Sequence, residues 1–162
     1  MQPALRFTPA SRRDTLVSAG TATANASVQL TSLGDPGGTV TWTSSHGGAS
    51  WVSLTTTSGQ GTGTISWTKS AENLRDGIFV DTITVLGADA APVRLVDTLV
   101  VIAPVVVRSC VVNHMLGAPC LDAAQMKWLD LAGNRDGVYN LGDLLAYLSR
   151  PGIAGLRKED ER

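Results

Sequence analysis

Between Leu5 and Ile102 apolar residues recur at every second position in short runs, and each run is closed by Gly, Ser, Asn or Asp. Period-two alternation buries one face of a strand and leaves the other wet. "ASVQLTSL" places Val28 and Leu30 on one face, "GTVTWTSS" places Val40 and Trp42, and "GTISWTKS" places Ile65 and Trp67. "GIFVDTITVLG" alternates through Phe79, Asp81, Ile83 and Val85, with the acid as the exception. "VRLVDTLVVIA" offers Val96, Val100 and Ile102, with Thr98 between them. Turn signals fall between the runs: "GDPGG", "SHGG", "TSGQGTG", "LRDG" and "LGADAAP". Six or seven strands at this spacing predict a mainly β domain, an antiparallel β-sandwich.

Bulk composition bounds the rest. Apolar residues are 43% of the 162 and charged ones 17%, enough for one full domain with a small appendage. The formal net charge is -1, which suggests neither nucleic acid nor an anionic membrane as a partner. No run of 18 apolar residues offers a membrane span. The opening "MQPALRFTPASRRDTLVSAG" has no hydrophobic stretch of the signal-peptide kind, so a secreted protein of this sequence is expected as a mature or excised piece.

Cys110 and Cys120 enclose "VVNHMLGAP". A disulfide, two free thiols, or a reactive thiol with His114 as base are the three readings. The last lacks an orienting third group and a known spacing. A disulfide would stabilise by about 2–3 kcal/mol through loop closure, and it would place the chain in an oxidising compartment.

From Leu121 the period changes. "LDAAQMKWLDLAG" carries Leu121, Ala124, Trp128 and Leu131 at helical spacing with Asp122 as N-cap, and "LGDLLAYLSRPG" carries Leu141, Leu144, Leu145 and Leu148 ahead of Pro151 and Gly152. Between them lie Asp130, Asn134, Asp136, Asn140 and Asp143 around Gly137. Calcium takes six to eight oxygens, several from carboxylates on a curling loop. With Gly137 at the sharp turn, the expected ligands are Asn134, Asp136, the Val138 carbonyl, Asn140 and Asp143. Position 1 of that pattern falls on Ala132. Asp130 completes the set if a bulge through Ala132–Gly133 absorbs two residues. An Asx-turn with helix capping explains Asn134, Asp136 and Asn140 without an ion.

The stretch "NRDGVYNLGDLLAYL" resembles the dockerin family, with its Asn-x-Asp-Gly start and an Asp leading into a leucine-rich helix. That resemblance implies Ca2+-dependent folding and docking onto cohesin modules. Dockerins carry two such repeats and this chain shows one. Leu141 and Gly142 stand where small hydroxyl residues often meet cohesin. Upstream, Trp42, "ASWVSL" around Trp51, "SGQGTGTI" and "LRDGIFVDTITV" resemble the BACON family of immunoglobulin-like modules in bacterial surface and secreted proteins. That likeness implies carbohydrate or mucin binding, or a spacer role.

A glycan site needs an exposed ring. Trp42 and Trp67 share parity with core residues, so Trp51, following a turn, is the one candidate in the strand region; its other reading is a plug at the sandwich end. His46 and His114 are too isolated for zinc and read as surface or loop residues. Asp81 and Asp97 are a conceivable glycosidase pair, but solvent-facing strand positions explain them better, and no serine has a triad around it. The expected organisation is therefore a BACON-like sandwich over 1–104, a disulfide-bearing connector over 105–120, a dockerin-like calcium helix–loop–helix over 121–152 and a charged tail over 153–162. The expected whole is a monomeric, non-enzymatic extracellular accessory module, with a carbohydrate-binding module and a docking module for a protein partner as alternatives.

Overall fold

The alternation resolves into two sheets. The structure, a computed structural model, describes residues 3–34 and 40–150. Among the described residues nine strands precede three helices: β1 (Ala4–Thr8), β2 (Ser11–Val17), β3 (Thr23–Leu33), β4 (Thr41–His46), β5 (Val52–Leu54), β6 (Ser58–Gln60), β7 (Gly63–Ser70), β8 (Gly77–Gly87), β9 (Ala90–Ile102), α1 (Arg108–Met115), α2 (Ala123–Ala132) and α3 (Leu141–Leu148). One sheet runs β1-β3-β7-β5 and the other β2-β9-β8-β4-β6. The expectation of six or seven strands missed short β5 and β6, three residues each.

Pairing is antiparallel throughout except at one edge. β2 runs parallel to β9, from Ser11 beside Val96 to Val17 beside Ile102. A wholly antiparallel arrangement is thus corrected. The chain passes from β1 in one sheet to β2 in the other, and a strand that has changed sheets need not enter as a hairpin partner.

One buried cluster draws Leu30, Ile65 and Trp67 from the first sheet and Trp42, Ile83, Val85, Leu95 and Leu99 from the second. Each such side chain contributes about 1.5–3 kcal/mol when fully buried. The expected inward parity holds in β3, β4, β7 and β8. In β9 it is reversed: Leu95, Asp97, Leu99 and Val101 point inward, while Val96 and Ile102 are exposed. Both faces of that strand are apolar, so periodicity alone cannot choose between them. The observed register sets Asp97 against a lysine of the other sheet.

The expected connector over 105–120 contains helix α1. Its run of valines favours a strand by propensity, but Val111 is fully buried and Cys110 is tied to Cys120 by a disulfide. Tertiary packing overrides the local preference. Val111, Leu121, Trp128, Leu129, Leu144 and Tyr147 form a second buried cluster, joined by Ala19 from the strand region. α2 begins at the expected N-cap Asp122, which forms a capping box closed reciprocally with Gln125. Pro151, Gly152, the 153–162 tail and most of the "GDPGG" turn lie outside the described residues.

Hydrogen bonds stitch the helical end to the sheets. Trp128 Nε1 donates to Asp76 Oδ1 at 3.0 Å, and Lys127 Nζ donates to Glu72 Oε1 at 3.0 Å. Gln125 Nε2 reaches the Val105 carbonyl at 2.8 Å.

Candidate metal centre

Helix α2 delivers the first acid. Asp130 lies in its last turn, because Leu131 and Ala132 continue as helix. The two residues that disturb the loop spacing are therefore wound into α2, and the expected bulge through Ala132–Gly133 is not needed. Asp130 Oδ1 accepts the Gly137 N–H at 3.1 Å across the loop. Gly137 holds φ +91°, which suits glycine at this turn.

Gly133 answers a different demand. A Cβ there would lie 2.8 Å from Asp143 Cα and on top of its carboxylate. Bare backbone at Gly133 lets Asp143 Oδ1 accept from Asn134 N at 2.9 Å. The other carboxylate oxygen accepts from Asn140 N at 2.9 Å, completing a capping box at the start of α3. Asp143 is consequently a carboxylate of 0% exposure, held by two backbone donors.

Asp136 is the exposed member. Its Oδ1 accepts from Val138 N at 3.1 Å, while Asn134 Nδ2 and Asn140 Nδ2 donate to its Oδ2 at 3.0 and 2.6 Å. Asn140 Nδ2 also meets the Val138 carbonyl at 3.1 Å, and its Oδ1 caps Gly142 N at 2.7 Å. Every one of Asp130, Asn134, Asp136, Val138, Asn140 and Asp143 is drawn into one network. The metal-free Asx and capping roles expected of Asn134, Asp136 and Asn140 are all present in it.

The donor set meets the size criterion for a calcium ion. One oxygen from each of Asp130, Asp136 and Asp143 lies within 4.8 Å of the others. Two oxygens that share an ion at about 2.3–2.6 Å can stand no farther apart than about 5 Å. Among the described residues none of the three carboxylates has a Lys or Arg ion-pair partner. Two of these acids are buried, and buried carboxylates are ordinarily paired or bound to metal.

Trp51 is not presented to solvent. It is 7% exposed and belongs to the large buried cluster. The cavity beside it, lined by Ser50, Ser70, Asn73 and Leu74, measures about 80 Å³; ligand pockets are roughly 300–1,000 Å³.

Asp81 and Asp97 were expected on solvent-facing positions, and both are buried. They stand opposite one another in the β8–β9 register, but their carboxylates take separate partners. Asp81 accepts from Gly47 N at 2.8 Å and Thr82 N at 2.7 Å, and contacts His46 Nδ1 at 2.9 Å. Burial pushes its carboxyl up, but the His46 contact and the Thr82, Gly47 and Ala49 N–H groups outweigh this and hold it below the ordinary value. His46 is thereby a strand-end partner of a buried acid. His114 Nδ1 accepts from Cys120 N and Leu121 N, both at 3.2 Å, so it braces the disulfide segment.

Asp97 meets Lys69 Nζ directly and accepts from Trp67 Nε1 at 2.8 Å. This cluster was missed because Lys69 reads as the polar end of "GTISWTKS". Its parity with Ile65 and Trp67 was the available signal.

No protein-family model matches the chain, and no curated protein matches it. Among solved structures it is similar to a Bacteroides ovatus GH5 xyloglucanase, with TM-score 0.48 and 16% identity over 64% of this chain and 20% of that one. It is similar to a PapD-like domain of human CEP192, with TM-score 0.47 and 13% identity over 64% of this chain and 87% of that one. The Caenorhabditis elegans MSP family member WR4 follows with TM-score 0.42 and 12% identity, covering 60% and 97%. The chain spans about a fifth of the xyloglucanase.

Proposed function

We propose that this chain is a non-catalytic extracellular accessory module: an immunoglobulin-like sandwich that spaces or tethers, closed at one end by a helix–loop–helix that one calcium ion orders. The observation that carries the reading is the convergence of Asp130, Asp136 and Asp143 within 4.8 Å, two of them buried and none ion-paired among the described residues. Asp130, Asn134, Asp136, Val138, Asn140 and Asp143 would hold the ion. When bound, calcium supplies charge neutralisation and cross-linking of α2 to α3, with no reaction of its own. An ion that binds only the folded form raises stability by mass action. Three carboxylates and a short Asp as the last ligand fit an affinity suited to millimolar extracellular calcium. The Cys110–Cys120 disulfide supports an oxidising compartment.

Thermal melts with calcium and with chelator test this. Calcium is expected to raise the midpoint, and Asp136→Ala, an exposed position, to abolish the response without unfolding the chain. An identical melt in both conditions would sink the proposal.

A second reading rests on α3. Leu141 and Leu145, one helical turn apart, are exposed together with Val138, and an unpartnered apolar edge beside the ion loop supports calcium-dependent docking of a protein. Retention of a partner from culture medium in calcium, and its release by chelator, would favour docking over plain spacing. The buried Trp51 gives the carbohydrate-binding alternative no comparable support.

A further inference from the structure

A second set of buried charges lies outside the acidic loop, between the two sheets. Lys69 on β7 and Asp97 on β9 both have fully buried side chains, and Nζ abuts Asp97 Oδ1. They come from opposite sheets, 28 residues apart. Asp14 on β2 places Oδ2 2.7 Å from the same Nζ, though without the alignment of a hydrogen bond. The indole Nε1 of Trp67 donates to Asp97 Oδ2 at 2.8 Å, and the ring lies under the amine at 5.8 Å. Ile65, Leu95 and Leu99 of the same inward faces belong to the surrounding core.

As an ion pair this arrangement is costly, since each charge taken out of water forfeits several kcal/mol even after relaxation. As a set of reactants it is complete. An amine lies against a carboxyl group, a second carboxylate touches the amine, and an N–H is fixed on the carboxyl oxygen that faces away from it. Contact held by a folded core replaces the encounter of two free groups, which is worth effective molarities of about 10⁵ M or more in aligned systems.

We propose that Lys69 and Asp97 condense to an intramolecular amide, an isopeptide bond that joins the two sheets through their core. Asp14 takes a proton from the Lys69 ammonium, frees the nitrogen lone pair and relays that proton to Asp97 Oδ1, so that a neutral amine faces a neutral acid. Nζ attacks Asp97 Cγ, and the Trp67 N–H stabilises the negative charge that develops on Oδ2, as an oxyanion donor does. The Nζ–Cγ bond forms. A second proton passes from the nitrogen by way of Asp14 to Oδ1, and the Cγ–Oδ1 bond breaks to release one water. Ammonium and carboxylate become a neutral amide plus water, and Asp14 ends as it began. No oxidant, metal or second substrate enters the balance. The product keeps the Trp67 hydrogen bond on its carbonyl oxygen, and its single N–H is left facing Asp14. Two buried charges are thereby exchanged for one amide with a partner at each end.

Intact mass after reduction of the disulfide is the test. The wild-type chain is expected one water lighter than its sequence, and a protease digest is expected to yield one branched peptide joining Lys69 to Asp97, with no cleavage after Lys69. Lys69→Arg and Asp97→Ala should each restore the missing water. Asp14→Ala, with both partners intact, should leave most of the chain unlinked. A wild-type mass equal to the sequence overturns the proposal and leaves a buried ion pair. So does a missing water that maps to Asp76–Gly77 or Asp136–Gly137, where cyclisation at Asp-Gly gives the same mass. The branched peptide is read from the wild-type protein, so the conclusion does not depend on the variants folding. Neither measurement involves calcium.

Discussion

The sheets and the helical end are held together by different means. The strand region buries a continuous core drawn from both sheets, including three tryptophans, Trp42, Trp51 and Trp67. The helical end has eight buried residues in its cluster, one of them borrowed from the strand region. It supplements that small core with a disulfide, two capping boxes and a loop of hydrogen-bonded acids. A small unit cannot bury enough apolar surface to offset chain entropy and usually needs staples or ions. The contrast teaches that removing a core side chain and removing a staple are experiments on different parts of the molecule.

The largest effect is expected from Leu99→Ala. Leu99 is fully buried on β9, between both sheets, and such truncations cost about 2–5 kcal/mol. The helices dock on the sheets through Asp76, Glu72 and Ala19, so both regions should lose stability together. Near-ultraviolet signals from Trp67 and Trp128 would report them jointly, and residue-resolved hydrogen exchange separately. If α2 kept its protection while β7 to β9 lost theirs, the two regions would be independent units and the helices would not depend on the sheet core.

A smaller and more local loss is expected from Cys110→Ser with Cys120→Ser. The bridge closes a loop of sequence separation 10, worth about 2–3 kcal/mol by chain entropy. Exchange should accelerate in α1 and α2, where Val111 and Trp128 share a cluster with Cys110, and remain slow in β7. Uniform acceleration in both regions would mean that the disulfide stabilises the whole chain.

How far each region was legible in the sequence follows the same division. Strand faces were readable where polar and apolar residues alternate, as at Val40/Trp42 and Ile65/Trp67. They were not readable in β9, whose two faces are equally apolar and whose inward acid makes sense only once Lys69 is across from it. Nor could local pattern show that β2 joins β9 in parallel, because those residues are some eighty positions apart. In the helical end, apolar stripes gave α2 and α3, with Asp122 as the cap of the first; both caps act within one turn. α1 escaped because its valines speak for a strand, and its helix is decided by burial of Val111. Asp130 joined the acidic cluster through helical phase, a property that a loop count does not contain. Trp51 stood open between a ligand-facing and a buried reading, because a neighbouring turn says nothing about where the ring goes.

The smallest effect belongs to the seam itself. Asp76, between β7 and β8, accepts from Trp128 Nε1 at 3.0 Å and lies 3.4 Å from Arg150 Nη1. Partial burial pushes its carboxyl up, but the Trp128 hydrogen bond, the Arg150 charge and a backbone hydrogen bond prevail and hold it below 3.8. A depressed folded-state value means the ionised form is the stabilising one. Its contribution is complete above the unfolded value of 3.8 and disappears as pH falls through the lower folded value. Asp76 is more than a third exposed, so solvent screening keeps the effect to about 0.2–1 kcal/mol. Asp76→Asn should therefore loosen α2 slightly at neutral pH and make no difference once the wild-type acid is protonated. Asp81 supplies the contrast within the strand region: it is depressed in the same direction by hydrogen bonds that do not touch a helix. Acid titration followed separately at Trp128 and at β8 should show Asp76→Asn flattening only the first curve. A change in both would place Asp76 in the strand core's own stability, and the seam between the two regions would then be tighter than its few hydrogen bonds indicate.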